Sequence, residues 1–272
     1  MQVRLLGPLD LMTAGGPQPV RGLRRKAVLA ALALQAGELV SASHLVEVVW
    51  GGAAPRTAVN TLQSHVSYLR HALGSKAAIL ARAPGYILNL DGNGTDVRVA
   101  ERLLRQGTQA ADPVRAARHL DAALALWRGW PLADLAGLAW LEERATQLDM
   151  LRLRVRLALL DARLAAGEHE QLVPELKLLA ADHPLDERIH AQLMLALYRS
   201  GRQADALARY RGLRQTLVNE LGIDPSQMLR DLERAILRQD PDLNAPAVAR
   251  PASYISERGT SNPSRCWGYC TA

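Results

Sequence analysis

The chain has 272 residues, a net charge of +6 and a pI near 9.7, which allows one or two domains with a sizeable core and points to an acidic partner. Its two cysteines, Cys266 and Cys270, lie at the extreme C-terminus, which excludes a disulfide framework and makes a reducing cytoplasm the expected location. No apolar run reaches the ~18 residues of a membrane span, and the N-terminus lacks the apolar stretch of a signal peptide, so no membrane partner is expected.

The charge is unevenly placed. Residues 1–94 carry +5, residues 95–240 are neutral and residues 241–272 carry +1. A basic N-terminal module joined to an electrically balanced one is expected. VRLLGPLDLMTAGG opens the chain as short strands broken at Gly7-Pro8 and Gly15-Gly16. LRRKAVLAALALQAG then reads as a helix of about three turns ending before Gly37, with Leu23, Lys26, Ala27, Ala30 and Leu34 on one side. Arg24, Arg25 and Lys26 crowd its first turn, the wrong end for the helix dipole. Two readings fit: they sit in solvent, or they face an anion. A short helix with Leu45, Val46, Val48 and Val49 follows, capped by Ser41 or Ser43.

The next segment, TAVNTLQSHVSYLRHAL, carries Val59, Leu62, Val66, Leu69 and Leu73 as one apolar stripe. At about 100° per residue, Thr57, Asn60, Ser64, Tyr68 and His71 lie opposite, flanked by Thr61 and Ser67. Residues 56–76 contain no acid. Solvated helix faces usually mix Glu with Lys; an Asn, Thr, Ser and Tyr face with peripheral Arg suits base edges and phosphates. His65 points sideways as a boundary residue. Two apolar runs around Ala83-Pro84-Gly85 read as a β-hairpin with Arg82 and Tyr86 near its tip. Strands, three helices and a hairpin, in that order, predict a winged helix-turn-helix with an extra N-terminal sheet.

From Thr95 the pattern becomes helical. Helices are predicted near Asp96–Gln109, Pro113–Trp127, Leu141–Ala166, Glu168–Ala181, Asp186–Ser200, Arg202–Glu220 and Ser226–Leu237, with Asp96, Asp186 and Ser226 as caps. Gly167 and Gly201 lie 34 residues apart, the tetratricopeptide period. Ala206 and Tyr210 have the spacing of that repeat's small and aromatic packing positions. The preceding copy departs from it, with Leu172 and Leu176 there instead. Pro184 falls where a repeat usually ends, and a weaker first unit is read around Gly107, Leu120 and Leu124. A repeat array is favoured over a generic bundle and would offer a concave protein-binding surface. Trp127, Trp130 and Trp140 read as a packed inter-helix loop rather than a ligand cage.

The fold class expected is therefore mainly α with a small β-sheet. Residues 1–93 form the winged helix, 94–240 an all-α tetratricopeptide-like domain and 241–272 a disordered tail. Cys266 and Cys270 lack companion ligands for zinc, and the seven histidines show no metal spacing. No nucleophile elbow, P-loop or dinucleotide fingerprint is present, so neither an enzyme nor a cofactor is expected. A tetratricopeptide adaptor whose basic module binds another acidic surface is the alternative to a DNA-binding protein.

The segments LRRKAVLAALAL, TLQSHVSYLRHALG, APGYIL and LALYRSGRQADALARYRGLRQTLVNELGIDPSQMLRDLERAIL resemble the Streptomyces antibiotic regulatory protein family, the small stand-alone type, over residues 1–240. The resemblance implies an OmpR-type winged helix followed by a bacterial transcriptional activation domain. It implies a transcriptional activator of a secondary-metabolite cluster that binds tandem direct repeats near the promoter −35 region and contacts RNA polymerase holoenzyme, with a second protomer side by side. Larger relatives carry a nucleotide-binding or forkhead-associated module; none is expected after Asp240. On this reading Thr57, Asn60, Thr61, Ser64 and Tyr68 approach base edges. Arg24, Arg25, Arg56, Arg70, His71, Lys76 and Arg82 hold phosphates, with a structural salt bridge as the alternative for Arg70.

Overall fold

A computed structural model describes residues 1–13, 15–90 and 94–244. The expected tail beyond Asn244, with both cysteines, lies outside the described residues. Strands β1 (Gln2–Arg4), β2 (Asp10–Thr13) and β3 (Gly16–Gln18) form an antiparallel sheet in that order, with Val3 opposite Leu11 and Leu11 opposite Gln18. Helix α1 (Leu23–Leu34) follows. Its residues Ala27 to Ala33 are all buried, so α1 is wrapped on every side, whereas the expected stripe member Leu23 is exposed. Small alanines let neighbouring elements approach it closely.

Helix α2 (Ala42–Trp50) starts at Ser41, whose Oγ accepts from the His44 N–H at 3.1 Å. Helix α3 (Ala58–Ala72) follows a turn and ends at Gly74, which has φ +68°. The predicted hairpin is β5 (Ile79–Arg82) and β6 (Gly85–Leu88), and a short β4 (Val40–Ser41) pairs on β6 to give the order β4-β6-β5. A Cβ on Gly85 would sit 1.9 Å from the Val40 carbonyl oxygen. The hairpin is thus sewn directly to the start of α2, and only glycine permits that approach.

Seven helices complete the described chain: α4 (Asp96–Gln109), α5 (Pro113–Leu124), α6 (Ala139–Ala165), α7 (His169–Asp182), α8 (Glu187–Arg199), α9 (Gln203–Leu221) and α10 (Gln227–Arg238). None is long and apolar enough to cross a membrane. Gly167 and Gly201 both take positive φ, +90° and +74°, each in the turn of a helical hairpin. Leu172 and Ala206, and Leu176 and Tyr210, are buried in equivalent places. Gly107, read as part of a weaker first repeat unit, falls within the helix predicted near Asp96–Gln109. It lies inside α4, where an added Cβ would meet Leu120 Cγ of α5 at 2.5 Å. Two expected caps differ. Thr95 caps α4, its Oγ1 accepting from Arg98 N–H. Ser226 makes no side-chain cap; its N–H donates to Glu187 Oε2 at 2.8 Å. Asp186 caps α8 as predicted. Of the tryptophans, Trp127 is buried and Trp140 half-buried, but Trp130 is exposed, so the loop is packed on one side only.

The hydrophobic core does not divide at residue 94. One cluster runs from Val3 through α1, α2, α3 and the hairpin into α4, α5 and one face of α6 along most of its length, as far as Ala162. A second begins at Leu157 and fills α7 to α10. Helix α6, about 40 Å long at 1.5 Å per residue, is the wall between them. Polar ties reinforce the first cluster. Asp96 is buried and accepts from the N–H groups of Leu5 (2.8 and 2.9 Å), Leu6 (2.9 Å) and Val97 (3.0 Å). Arg128 approaches it at 3.9 Å and pairs with Asp10 at 2.6 Å. Lys26 pairs with Asp134, and the Arg98 guanidinium donates to the Ala36 carbonyl. At the other end, Pro241–Leu243 form a 3-10 turn, and Arg199 Nε donates to the Leu243 carbonyl at 2.8 Å.

Two helical glycines respond oppositely to alanine. Gly107→Ala forces the α4–α5 contact apart and costs about 1–3 kcal/mol. Gly212 sits inside α9 with nothing within 4 Å of an added Cβ, so Gly212→Ala stabilises by about 0.5–1 kcal/mol. Urea denaturation of the two variants measures both; equal signs would refute the packing assignment.

Candidate nucleic-acid interface

Helix α3 is held by Ala58, Leu62, Val66, Leu69 and Leu73, all buried. This corrects the predicted stripe at its first position: Val59 is 53% exposed and Ala58 takes its place. The outward face is therefore rotated by about one residue. Arg56, Thr57, Val59, Asn60, Gln63, Ser64, Ser67 and His71 are exposed, and Thr61 is half-exposed. Gln63 and Val59 were absent from the expected face; the signal that places them there is the phase counted from Ala58. Thr61 Oγ1 donates to the Thr57 carbonyl at 3.0 Å and Ser64 Oγ to the Asn60 carbonyl at 3.2 Å. Each hydroxyl proton is thereby committed to the backbone, and the oxygens present acceptor lone pairs outward. Asn60 and Gln63 offer amides that donate and accept together.

Tyr68 is not on this open face. It is half-buried against the first core, its ring stacked under the Arg25 guanidinium at 4.0 Å, and its Oη accepts from the Arg21 N–H at 3.5 Å. Arg24 lies over Trp50 at 5.4 Å, and Trp50 stacks on His65 at 6.2 Å with the rings 13° apart. The first turn of α1 is therefore bound to α3 through aromatic faces, which offsets the unfavourable dipole. Neither expected reading of the three cations holds for all of them. Lys26 is consumed by Asp134, Arg25 is stacked, and Arg24 stays exposed. Stacked guanidiniums still present N–H edges to an anion.

At the C-terminal end of α3, Ser67, Arg70, His71, Ser75 and Lys76 line a cavity of about 670 Å³. Arg70 is half-buried and its Nε donates to the Ile79 carbonyl at 2.8 Å. It anchors the wing through a backbone carbonyl, not through the salt bridge that was the alternative to a phosphate contact. Arg82 is exposed at the hairpin tip. Between Glu47 and Asp91 the chain has no acidic residue. Arg24, Arg56, His71, Lys76 and Arg82 thus surround the polar face without a competing carboxylate from that stretch.

His65 is held below the ordinary histidine range by burial and by the charges of Arg25 and Arg24. His190, in α8, is lowered by burial and by Arg209, against the opposing pull of the Pro184 carbonyl and Asp186. A lowered folded-state value means that the unfolded chain takes up the proton first. Their contribution to stability is full above the unfolded value of about 6.5 and is lost as pH falls below it and through the lowered folded values. The denaturation midpoint is expected to drop between about pH 7.5 and about pH 5.5, and a His65→Gln, His190→Gln double variant should drop less. An equally steep double variant would assign the loss elsewhere.

An exposed, acid-free helix face beside a wing, borne on a helical repeat array, defines a winged helix-turn-helix transcriptional regulator. Residues 22–94 match the family model "Transcriptional regulatory protein, C terminal", and residues 95–237 match "Bacterial transcriptional activator domain". The regulatory protein DnrI of Streptomyces peucetius is 38% identical over 93% of this chain and 98% of its own length. The transcriptional regulator RedD of Streptomyces coelicolor is 34% identical over 91% of this chain and 73% of its own. A solved structure of Mycobacterium tuberculosis EmbR, in complex with a low-affinity phosphopeptide, superposes with a TM-score of 0.83 at 36% identity, covering 88% of this chain and 65% of EmbR. The chain belongs to the Streptomyces antibiotic regulatory protein family of transcriptional regulators.

Proposed function

We propose that this regulator activates a secondary-metabolite gene cluster by binding tandem direct repeats near the promoter −35 region and recruiting RNA polymerase holoenzyme. The observation that carries the reading is the outward face of α3, polar and acid-free beside the wing. In the major groove, Asn60 and Gln63 would pair with adenine edges, Thr57, Thr61 and Ser64 would accept from exocyclic amines, and Val59 would meet a thymine methyl. Arg24, Arg25, Arg56, His71, Lys76 and Arg82 would hold phosphates and set register. Tyr68 would act through Arg25, by fixing that guanidinium beside the helix. Two protomers side by side on repeats about one helical turn apart would present the same surface to polymerase.

Selection from a random DNA pool at near-physiological salt, with sequencing of the bound fraction, tests the reading. Enriched direct repeats one turn apart support it. Inverted repeats would overturn the head-to-tail arrangement, and no enriched motif, with holoenzyme also present, would favour the adaptor. Within such a site, Lys76→Ala should lower the log–log salt slope by about 1 for specific and nonspecific DNA alike; an unchanged slope would remove Lys76 from the phosphate set.

A further inference from the structure

A groove of about 520 Å³ lies between α7 and α9 with α8 as its floor, well away from α3. Its apolar lining includes Leu197 of α8 and Leu213 of α9, and its rim carries Lys177 and Arg209. Neither cation has an ion-pair partner among the described residues, whereas Arg202, also on the rim, is paired with Asp205 at 2.6 Å. His190 lines the groove at 6% exposure; neither ring nitrogen makes a hydrogen bond of good geometry, and the Pro184 carbonyl beside it is only a weak acceptor for the ring. A buried imidazole whose nitrogens are poorly satisfied is costly in a folded protein. Gly212 opens the α9 wall, and nothing in the fold requires a glycine there.

We infer that this groove is a binding site for a small molecule with an apolar body and an anionic head, a carboxylate or a phosphate. The volume is that of ordinary small-ligand sites, which combine apolar walls with a few convergent polar groups. The body covers Leu197 and Leu213, the anion is met by Arg209 and Lys177, and a His190 N–H donates to it. Occupancy of such a site would supply an input signal to the regulator. The proposal does not depend on the DNA reading, since binding is measured without DNA.

The test is titration of the full chain with 1-naphthoate, 1-naphthyl phosphate and the uncharged 1-naphthamide, following histidine ring signals by NMR. The expected result is saturable movement of the His190 signal with one or both anions, at least tenfold tighter than with the amide. The two anions separate carboxylate from phosphate as the head group. Arg209→Gln should weaken that binding at least tenfold. Gly212→Leu should abolish it by filling the groove while keeping or raising thermal stability, which separates occlusion from unfolding. No movement with either anion, equal binding of the amide, or unchanged binding in both variants would overturn the site.

Discussion

Ser64→Glu is expected to lower affinity for the selected DNA site by about 100-fold or more while leaving the melting temperature unchanged. Ser64 is exposed at the centre of the outward face of α3, and its one side-chain hydrogen bond among the described residues is local, to the Asn60 carbonyl. Glutamate is the better helix former, so the fold loses nothing. A carboxylate at that position enters a groove walled by phosphates and faces bases whose acceptors it repels. Gln215→Glu, on the exposed surface of α9, makes the same change in net charge elsewhere and should cost little. Fluorescence anisotropy at fixed salt compares the two. Equal losses would mean that only total charge matters; no loss in Ser64→Glu would remove α3 from the interface.

Asp96→Asn is expected to destabilise the protein by about 2–3 kcal/mol. Burial pushes the Asp96 carboxyl above the ordinary carboxylate range, and the N–H groups of Leu5, Leu6 and Val97, with the Arg128 guanidinium, pull it back down. Every neighbour within hydrogen-bonding reach is a donor. An asparagine amide turns two hydrogens of its own towards those donors and leaves at least one buried N–H unsatisfied. Because Asp96 joins the chain just after β1 to the start of α4, the loss falls on the shared core. It should appear as one cooperative shift of the whole N-terminal half in hydrogen exchange. A loss under about 1 kcal/mol, or a change confined to the N-terminal strands, would refute the role of Asp96 as the joint.

Much of the local order is legible in the sequence because it depends on near neighbours. Gly167 and Gly201 end helices because a left-handed residue is needed there, and Asp186 and Ser41 cap helices with their own side chains. The helix α3 and its acid-free polar face are likewise visible in spacing and composition. Local pattern fails where a partner distant in the chain decides the outcome. Asp96 looked like a cap because it precedes a helix, yet Leu5 and Leu6 claim its oxygens. Gly107 has no evident role within its own helix, yet Leu120 packs where its side chain would be.

The candidate interface divides in the same way. Sequence by itself determined that a basic, acid-poor helix-and-hairpin module precedes a neutral helical repeat, since charge and periodicity are properties of the chain. Tertiary structure alone decided which face of α3 is free. Ala58 is buried and Val59 exposed, a phase of α3 that is set by how the helix as a whole packs on α1 and α2. The same packing turned Tyr68 inward onto Arg25 and gave Lys26 to Asp134, contacts 43 and 108 residues apart in sequence. No local pattern encodes such pairings, because they exist only once the core has closed.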